Sequence, residues 1–314
     1  MSDDLNERPD EEGPDSDDAT SEWNDRPQDK GQEDGRSDLS EEQFEQAEQE
    51  GGQPTYGEIL AREIDEGLGE LNRPLDGLAL SGLSAGLDIG FGPFLMAVVL
   101  TVGAGSYSSA TIDILEANVY AVGFIFVVLG RSELFTEHTT LAVLPVIDRR
   151  ASMGELARLW GVVYGANIVG GAIFAAVMVP IAPALGVASP EAFGDIARGL
   201  VEHSWFTLLG AGLLAGWLMG LLSWLVAAAQ DTISRVFFVW LIATAIGFIG
   251  LPHCIAGNVE VLAGLLIDGG VGLMDYARFM SAATLGNVIG GTVFVALLKY
   301  GHVVRGGEAS GSGI

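Results

Sequence analysis

The sequence predicts an all-α membrane protein of six transmembrane helices, built as an inverted 3+3 repeat with its second and fifth spans broken. Three observations carry that prediction. Six apolar stretches, each long enough for a hydrocarbon core of about 30 Å, follow one another between Gly77 and Leu298. Arg158, Asn167, Gly170, Gly171 and Phe174 recur as Arg278, Asn287, Gly290, Gly291 and Phe294, 120 residues later. Two interruptions, at 130–138 and 250–258, fall opposite each other at the same spacing.

Composition narrows the class. The chain of 314 residues is 49% hydrophobic with a mean hydropathy of +0.38, too apolar for an ordinary soluble domain. Its net charge of -26 is unevenly placed: residues 1–50 hold 20 of the 41 acids and only 4 of the 15 bases. So acidic a segment cannot bury enough apolar surface to fold alone, and 1–55 reads as a disordered acidic tail. Neither part is basic, which argues against nucleic acid as a partner. Cys254 is the single cysteine, leaving no internal disulfide and no cysteine cluster for a metal; no cofactor is expected. The N-terminus is acidic and lacks the basic-then-apolar order of a secretory signal.

In chain order, 56–74 reads as an amphipathic interfacial helix, because Ile59, Leu60, Ile64, Leu68 and Leu71 share one face. A plain pre-span helix is the alternative. The six-span domain occupies 75–300. Its spans are expected at 77–103, with Asp88 and Pro93 inside; 114–130, interrupted and resuming over 139–147; 156–181; 204–229, after a polar loop at 182–202; 236–267; and 277–298. Residues 301–314 read as a flexible C-terminal tail. With an inside N-terminus, one set of flanks collects Arg62, Arg73, Arg149, Arg150, Arg158, Arg235, Lys299 and Arg305, and the other holds Arg198 and Arg278. The positive-inside rule therefore places both termini in the cytoplasm of a multi-pass cell-membrane protein.

The repeat gives the interruptions their meaning. Each half holds three spans, an odd number, so the halves lie antiparallel and the site is expected where the broken helices meet near the midplane. Gly90 and Gly92 map onto Gly210 and Gly212, and Glu133-Leu134-Phe135-Thr136 onto His253-Cys254-Ile255-Ala256. An ionisable side chain at membrane depth costs roughly 2.5 kcal/mol or more, so His253 is a functional candidate by default. Its alternative is a histidine bonded to a neighbouring carbonyl in a kinked helix. Asn167 and Asn287 either hydrogen-bond across helices beside close-packed glycines or tie down the freed backbone of the breaks. Glu133, Glu137 and Glu260 either cap half-helices or pair with Arg131, or belong to a proton path.

Glu133-Leu134-Phe135-Thr136, the Asn167 and Asn287 glycine pairs and His253 together resemble the formate/nitrite transporter family, over roughly 75–300. Gly130-Arg131-Ser132-Glu133 and Gly250-Leu251-Pro252-His253 resemble its less characterised branch more than the formate and nitrite channels proper. The resemblance implies an aquaporin-like protomer in a homopentamer embedded in lipid, each with its own pore for small monovalent anions of weak acids, with or without a proton. It makes His253 the pore-centre residue and puts Thr136 beside it. Leu134 and Phe135 then lie on the loop breaking the second span. Tyr120 and Phe124 narrow the path from that span, and Ile246 or Phe248 from the fifth. Asn167, Asn287, Glu133 and Asn258 support the loops. Three positions depart from the formate-channel pattern. Pro252 precedes the histidine where Glu is usual, Gly257 stands where an Asn is usual, and Leu200-Val201-Glu202-His203 lacks the usual Lys. An aquaporin-type channel for neutral solutes and a proton-coupled exporter are the alternatives. An intramembrane enzyme built on Ser204 and His253 is disfavoured, because no nucleophile motif surrounds the serine.

Overall fold

The computed structural model describes residues 54–310, with side chains as far as 305. Most of the expected acidic tail, and residues 311–314, therefore lie outside the described residues.

The first helix, α1 (Tyr56–Asn72), starts at a reciprocal Thr55–Glu58 capping box and buries Ile59, Leu60, Ile64 and Leu71. The first span is α2 (Leu75–Ile89) followed by α3 (Phe91–Gly103). Pro93 lies in the first turn of α3, where its missing N–H needs no intrahelical partner. Asp88 accepts a hydrogen bond from Ser84 Oγ, 3.2 Å away. The chain returns as α4 (Ser109–Leu129), breaks, and continues through two short helices, α5 (Phe135–His138) and α6 (Leu144–Ile147). Next come α7 (Met153–Ala184), α8 (Pro190–Val201), α9 (Trp205–Ala228) and α10 (Thr232–Ile249). A second break leads to α11 (Cys254–Leu266), and then to α12 (Leu273–Gly291), a π-helical segment (Thr292–Leu297) and α13 (Leu298–Ser310). Six helices are long and apolar enough to cross a membrane.

Two expectations change. The polar loop at 182–202 contains α8, with Ser189 as N-cap, Pro190 at the first helical position, Glu191 in the first turn and Arg198 in the last. Those are the start and stop signals of a helix, and its buried face carries Ala192, Phe193, Ala197 and Val201. The C-terminal segment expected to be flexible from 301 is helical as far as Ser310.

The packing repeats in a register that sequence matching missed. A Cβ on Gly86 of α2 would sit 2.3 Å from the Asn167 carbonyl oxygen, and one on Gly216 of α9 would sit 2.2 Å from that of Asn287. Gly170 and Gly290 lie as closely against the carbonyls of Leu83 and Leu213. Arg158 donates to the Leu71 carbonyl and Arg278 to that of Val201. The third spans thus correspond at 120 residues. The first spans, with α1 and α8 before them, correspond at 130, so Gly90 and Gly92 do not match Gly210 and Gly212. Small residues allow this backbone-to-backbone approach, which is what packs helices when lipid removes the hydrophobic drive between them.

Candidate functional site

Both breaks end in the same way. Leu134, at the start of α5, has φ -100° and ψ 125°; His253, at the start of α11, has φ -102° and ψ 120°. Each following N–H is caught by an asparagine from a third span: Phe135 N by Asn167 Oδ1 at 2.9 Å and Cys254 N by Asn287 Oδ1 at 2.8 Å. Asn167 Nδ2 donates to the carbonyls of Gly82 and Glu133, at 2.7 and 2.8 Å. Asn287 Nδ2 donates to those of Gly212 and Pro252, at 2.8 and 2.9 Å. One buried amide therefore satisfies the two backbone groups left open at its break, for which lipid offers no partner, and ties the break to a carbonyl inside a neighbouring helix. The equivalent of His253 is consequently Leu134, at 119 residues, and not Glu133.

His253 is 1% exposed and caps α11: its Nδ1 accepts the Ala256 N–H at 3.2 Å. An acceptor nitrogen carries no proton, so the neutral ring carries its hydrogen on Nε2. That Nε2–H donates to Thr136 Oγ1 at 2.8 Å. Protonating Nδ1 would break the cap at the positive end of a helix, which disfavours a cation there. The geometry therefore holds His253 as a neutral imidazole with a fixed donor.

Around this pair the protein is closed. Leu134, Phe124, Thr136 and Ile246 are each 0% exposed. The Phe124 ring stands edge-on to the His253 ring with centroids 5.0 Å apart, and Tyr120 lies 5.2 Å from Phe124, one turn back along α4. Phe135 is buried against Tyr164 and Trp160, with centroids 4.9 and 5.9 Å away. Phe248 is 59% exposed and does not line this region. Positions 246 and 248 are about 200° apart on a helix of 3.6 residues per turn, so only one can face inward.

The remaining expected residues act as supports. Asn258 joins α11 to α7 and α12: its Nδ2 donates to the Ile168 carbonyl at 3.2 Å, and its Oδ1 accepts from Tyr276 Oη at 2.7 Å. Glu133 pairs with Arg73 and His138 and not with Arg131, which is exposed with φ 53°. Ser204 caps α9, accepting the Thr207 N–H, and so has a structural role. Sequence reasoning had not singled out Arg73 or His138, since nothing local shows that α1 ends beside the first break.

The formate/nitrite transporter family model matches residues 57–301. The chain belongs to this family. It is 31% identical over 246 residues to the inner membrane protein YfdC of Escherichia coli, covering 76% of each chain. It is also 31% identical over 245 residues to a probable formate transporter of Methanothermobacter thermautotrophicus, covering 72% of this chain and 89% of the other. Among solved structures it resembles an FNT family ion channel, with a TM-score of 0.66 and 21% identity over 78% of this chain and 97% of the other. It also resembles a pentameric formate channel with formate bound, with a TM-score of 0.61 and 25% identity over 73% and 98%. The family relationship and the six spans make the chain a multi-pass membrane transporter or channel.

Proposed function

We propose that this protein carries small monovalent anions of weak acids, formate or nitrite among them, through a path centred on His253. The path runs past Tyr120, Phe124, Leu134, Phe135, Thr136 and Ile246. The observation that carries this reading is the His253–Thr136 hydrogen bond, buried where two half-helices meet. A bare anion crossing an apolar constriction loses many kcal/mol of hydration. A neutral imidazole with a fixed Nε2–H offers one strong donor, and the Thr136 hydroxyl, already accepting from that donor, keeps its own hydrogen for the substrate. Such a site favours the moment at which the anion is paired with a proton and crosses as the neutral acid. The formate-bound pentameric relative supports a homopentamer with one path per protomer, and the arginine distribution supports cytoplasmic termini in the cell membrane.

The test is flux into proteoliposomes across formate, nitrite, acetate, lactate, hydrosulfide and chloride, at two pH values. Weak-acid anions are expected to pass and chloride to be excluded. His253→Asn should remain folded and lose flux; uptake unchanged by that substitution at acidic and neutral pH would remove His253 from the mechanism. Swelling by uncharged solutes with no anion flux would replace the reading by a neutral-solute channel.

A further inference from the structure

The helices that lead into the two breaks end in the same turn. On α4, the Ser132 N–H donates to the Val127 carbonyl at 3.0 Å and the Arg131 N–H to that of Val128 at 3.3 Å. On α10, the Leu251 N–H donates to the Ile246 carbonyl at 3.0 Å and the Gly250 N–H to that of Gly247 at 3.2 Å. Each group of the first turn has its match at the register of Leu134 and His253. This is a Schellman cap, in which the residue just past the helix takes a left-handed conformation. Gly250 takes it with φ 72° and Arg131 with φ 53°. Glycine enters that region at no steric cost, whereas a Cβ there crowds the next carbonyl. The first half thus puts a long charged side chain where the second half shows that glycine serves. The other left-handed pair in this register, Arg149 and Asp268, carries a side chain in both halves and offers no such contrast. Strain kept at one position points to a task for its side chain.

Arg131 stands on the outer wall. It is exposed, as are Phe126, Leu129 and Gly130 before it, and the matching Phe248 and Ile249 on α10 are exposed too. Its depth follows from its neighbours. The Glu133 N–H donates to Ser81 Oγ at 3.1 Å, and Ser132 Oγ donates to Ser84 Oγ at 3.4 Å. Those serines lie about 9 and 14 Å along the first span from Leu75, in the half of the membrane nearer α1. The Arg131 side chain makes no hydrogen bond or ion pair among the described residues. The nearby acids are taken: Glu133 by Arg73 and His138, and Asp88, at the far end of the Ser132–Ser84 contact, by Ser84 Oγ. By contrast, Arg73, Arg150 and Arg158 are each held by a carboxylate or a carbonyl. A guanidinium inside an apolar wall reaches for the head-group level, and its fork matches two oxygens of a phosphate.

We propose that Arg131 is a binding site for an anionic phospholipid. The guanidinium holds the lipid phosphate, and the acyl chains lie along the exposed Phe126 and Leu129. The charge of the head group and the apolar wall below it fit a lipid and not a free anion. The residues that follow the turn are Glu133 and Leu134, so the lipid is held where α4 gives way to the first break. The second half, with Gly250 in the same place, has no such site, which makes the two breaks unlike on their outer faces as well as at their centre.

The experiment uses the full chain, purified in detergent and stripped of lipid, with thermal unfolding followed as phosphatidylglycerol, phosphatidylcholine of the same chains, or inorganic phosphate is added. Two variants separate strain from charge. Arg131→Gly installs the residue of the second half and removes both; Arg131→Gln removes the charge and keeps a side chain on the left-handed backbone. Wild type should be stabilised by phosphatidylglycerol at a concentration about tenfold below that needed with phosphatidylcholine, as expected for one charge-assisted hydrogen-bonded pair. In both variants the two lipid curves should coincide. Without lipid, Arg131→Gly should unfold at a higher temperature than Arg131→Gln, since it alone relieves the turn, and this keeps the test open should the glutamine variant fail to fold. A preference for phosphatidylglycerol that survives in both variants overturns the proposal. Equal stabilisation of wild type by inorganic phosphate also overturns it, making the site one for free anions. Loss of the oligomer on size-exclusion chromatography in both variants, with the lipid preference intact, overturns it in favour of a contact with a second copy of the chain.

Discussion

Leu134 and His253 occupy equivalent positions, with backbone dihedrals agreeing within 5° at the mouths of the two half-helices. One half contributes an apolar side chain and the other a polar ring. Thr136, two residues beyond Leu134, receives the His253 Nε2–H. The asymmetry within a symmetric construction concentrates the polarity of the centre on one histidine and one hydroxyl.

That contact sets the first prediction. Thr136→Val removes the acceptor and the hydroxyl while keeping the volume, leaving a buried N–H unpaired at about 1–3 kcal/mol. Formate flux in proteoliposomes should fall about tenfold, the equivalent of 1.4 kcal/mol. Undiminished flux in the Thr136→Val protein would show that Leu134, Phe124 and Ile246 alone govern passage.

The asparagines should matter for stability more than for selectivity. Asn287→Ala orphans Cys254 N and the Pro252 carbonyl and releases the break from the Gly212 carbonyl of α9. Membrane hydrogen bonds are individually weak, but a half-helix cannot find substitutes in lipid. A loss of about 2–4 kcal/mol in detergent unfolding is expected, with Asn167→Ala behaving alike because it holds the matching groups.

Glu63 on α1 predicts a pH dependence outside the spans. It is buried, its carboxylate accepting from Ser223 Oγ at 2.9 and 3.0 Å, and burial pushes its pKa up to about 8. The folded state therefore holds a proton that the unfolded state releases near 4.5. By linkage, stability falls as pH rises from about 4.5 to about 8. Docking of α1 on α9 should weaken across that window by up to a few kcal/mol, on the order of 1.4 per unit. Hydrogen exchange of α1 should accelerate from pH 5 to pH 8.5, after correction for intrinsic rates, and Glu63→Gln should flatten the response.

Position 248 offers a negative control. Phe248→Ala removes an exposed ring and should leave formate flux within about twofold, since surface changes away from special features usually stay within about 0.5 kcal/mol. Ile246→Trp, in a fully buried position, should block flux in protein that still assembles. Equal effects at both sites would mean that α10 is turned differently from the arrangement described.

Particular residues show where sequence reasoning reached and where it stopped. Asn167 and Asn287 were legible because lipid forces every open backbone group to find a protein partner, and an amide flanked by glycines is what fits. His253 was legible because a titratable side chain in an apolar run is costly. The helix at Pro190–Val201 was legible in its caps but was hidden by its polarity between two strongly apolar spans.

Amino-acid order alone specified the six crossings, the two breaks and their histidine, since hydropathy and the cost of buried polarity act locally. Packing in three dimensions specified the rest. It set the 119- and 130-residue registers, because insertions between spans shift numbering without shifting contacts. It turned Ile246 inward and Phe248 outward, because facing is fixed by neighbouring helices. It joined Glu133 to Arg73 and His138, because pairings across helices depend on distances that spacing along the chain does not encode.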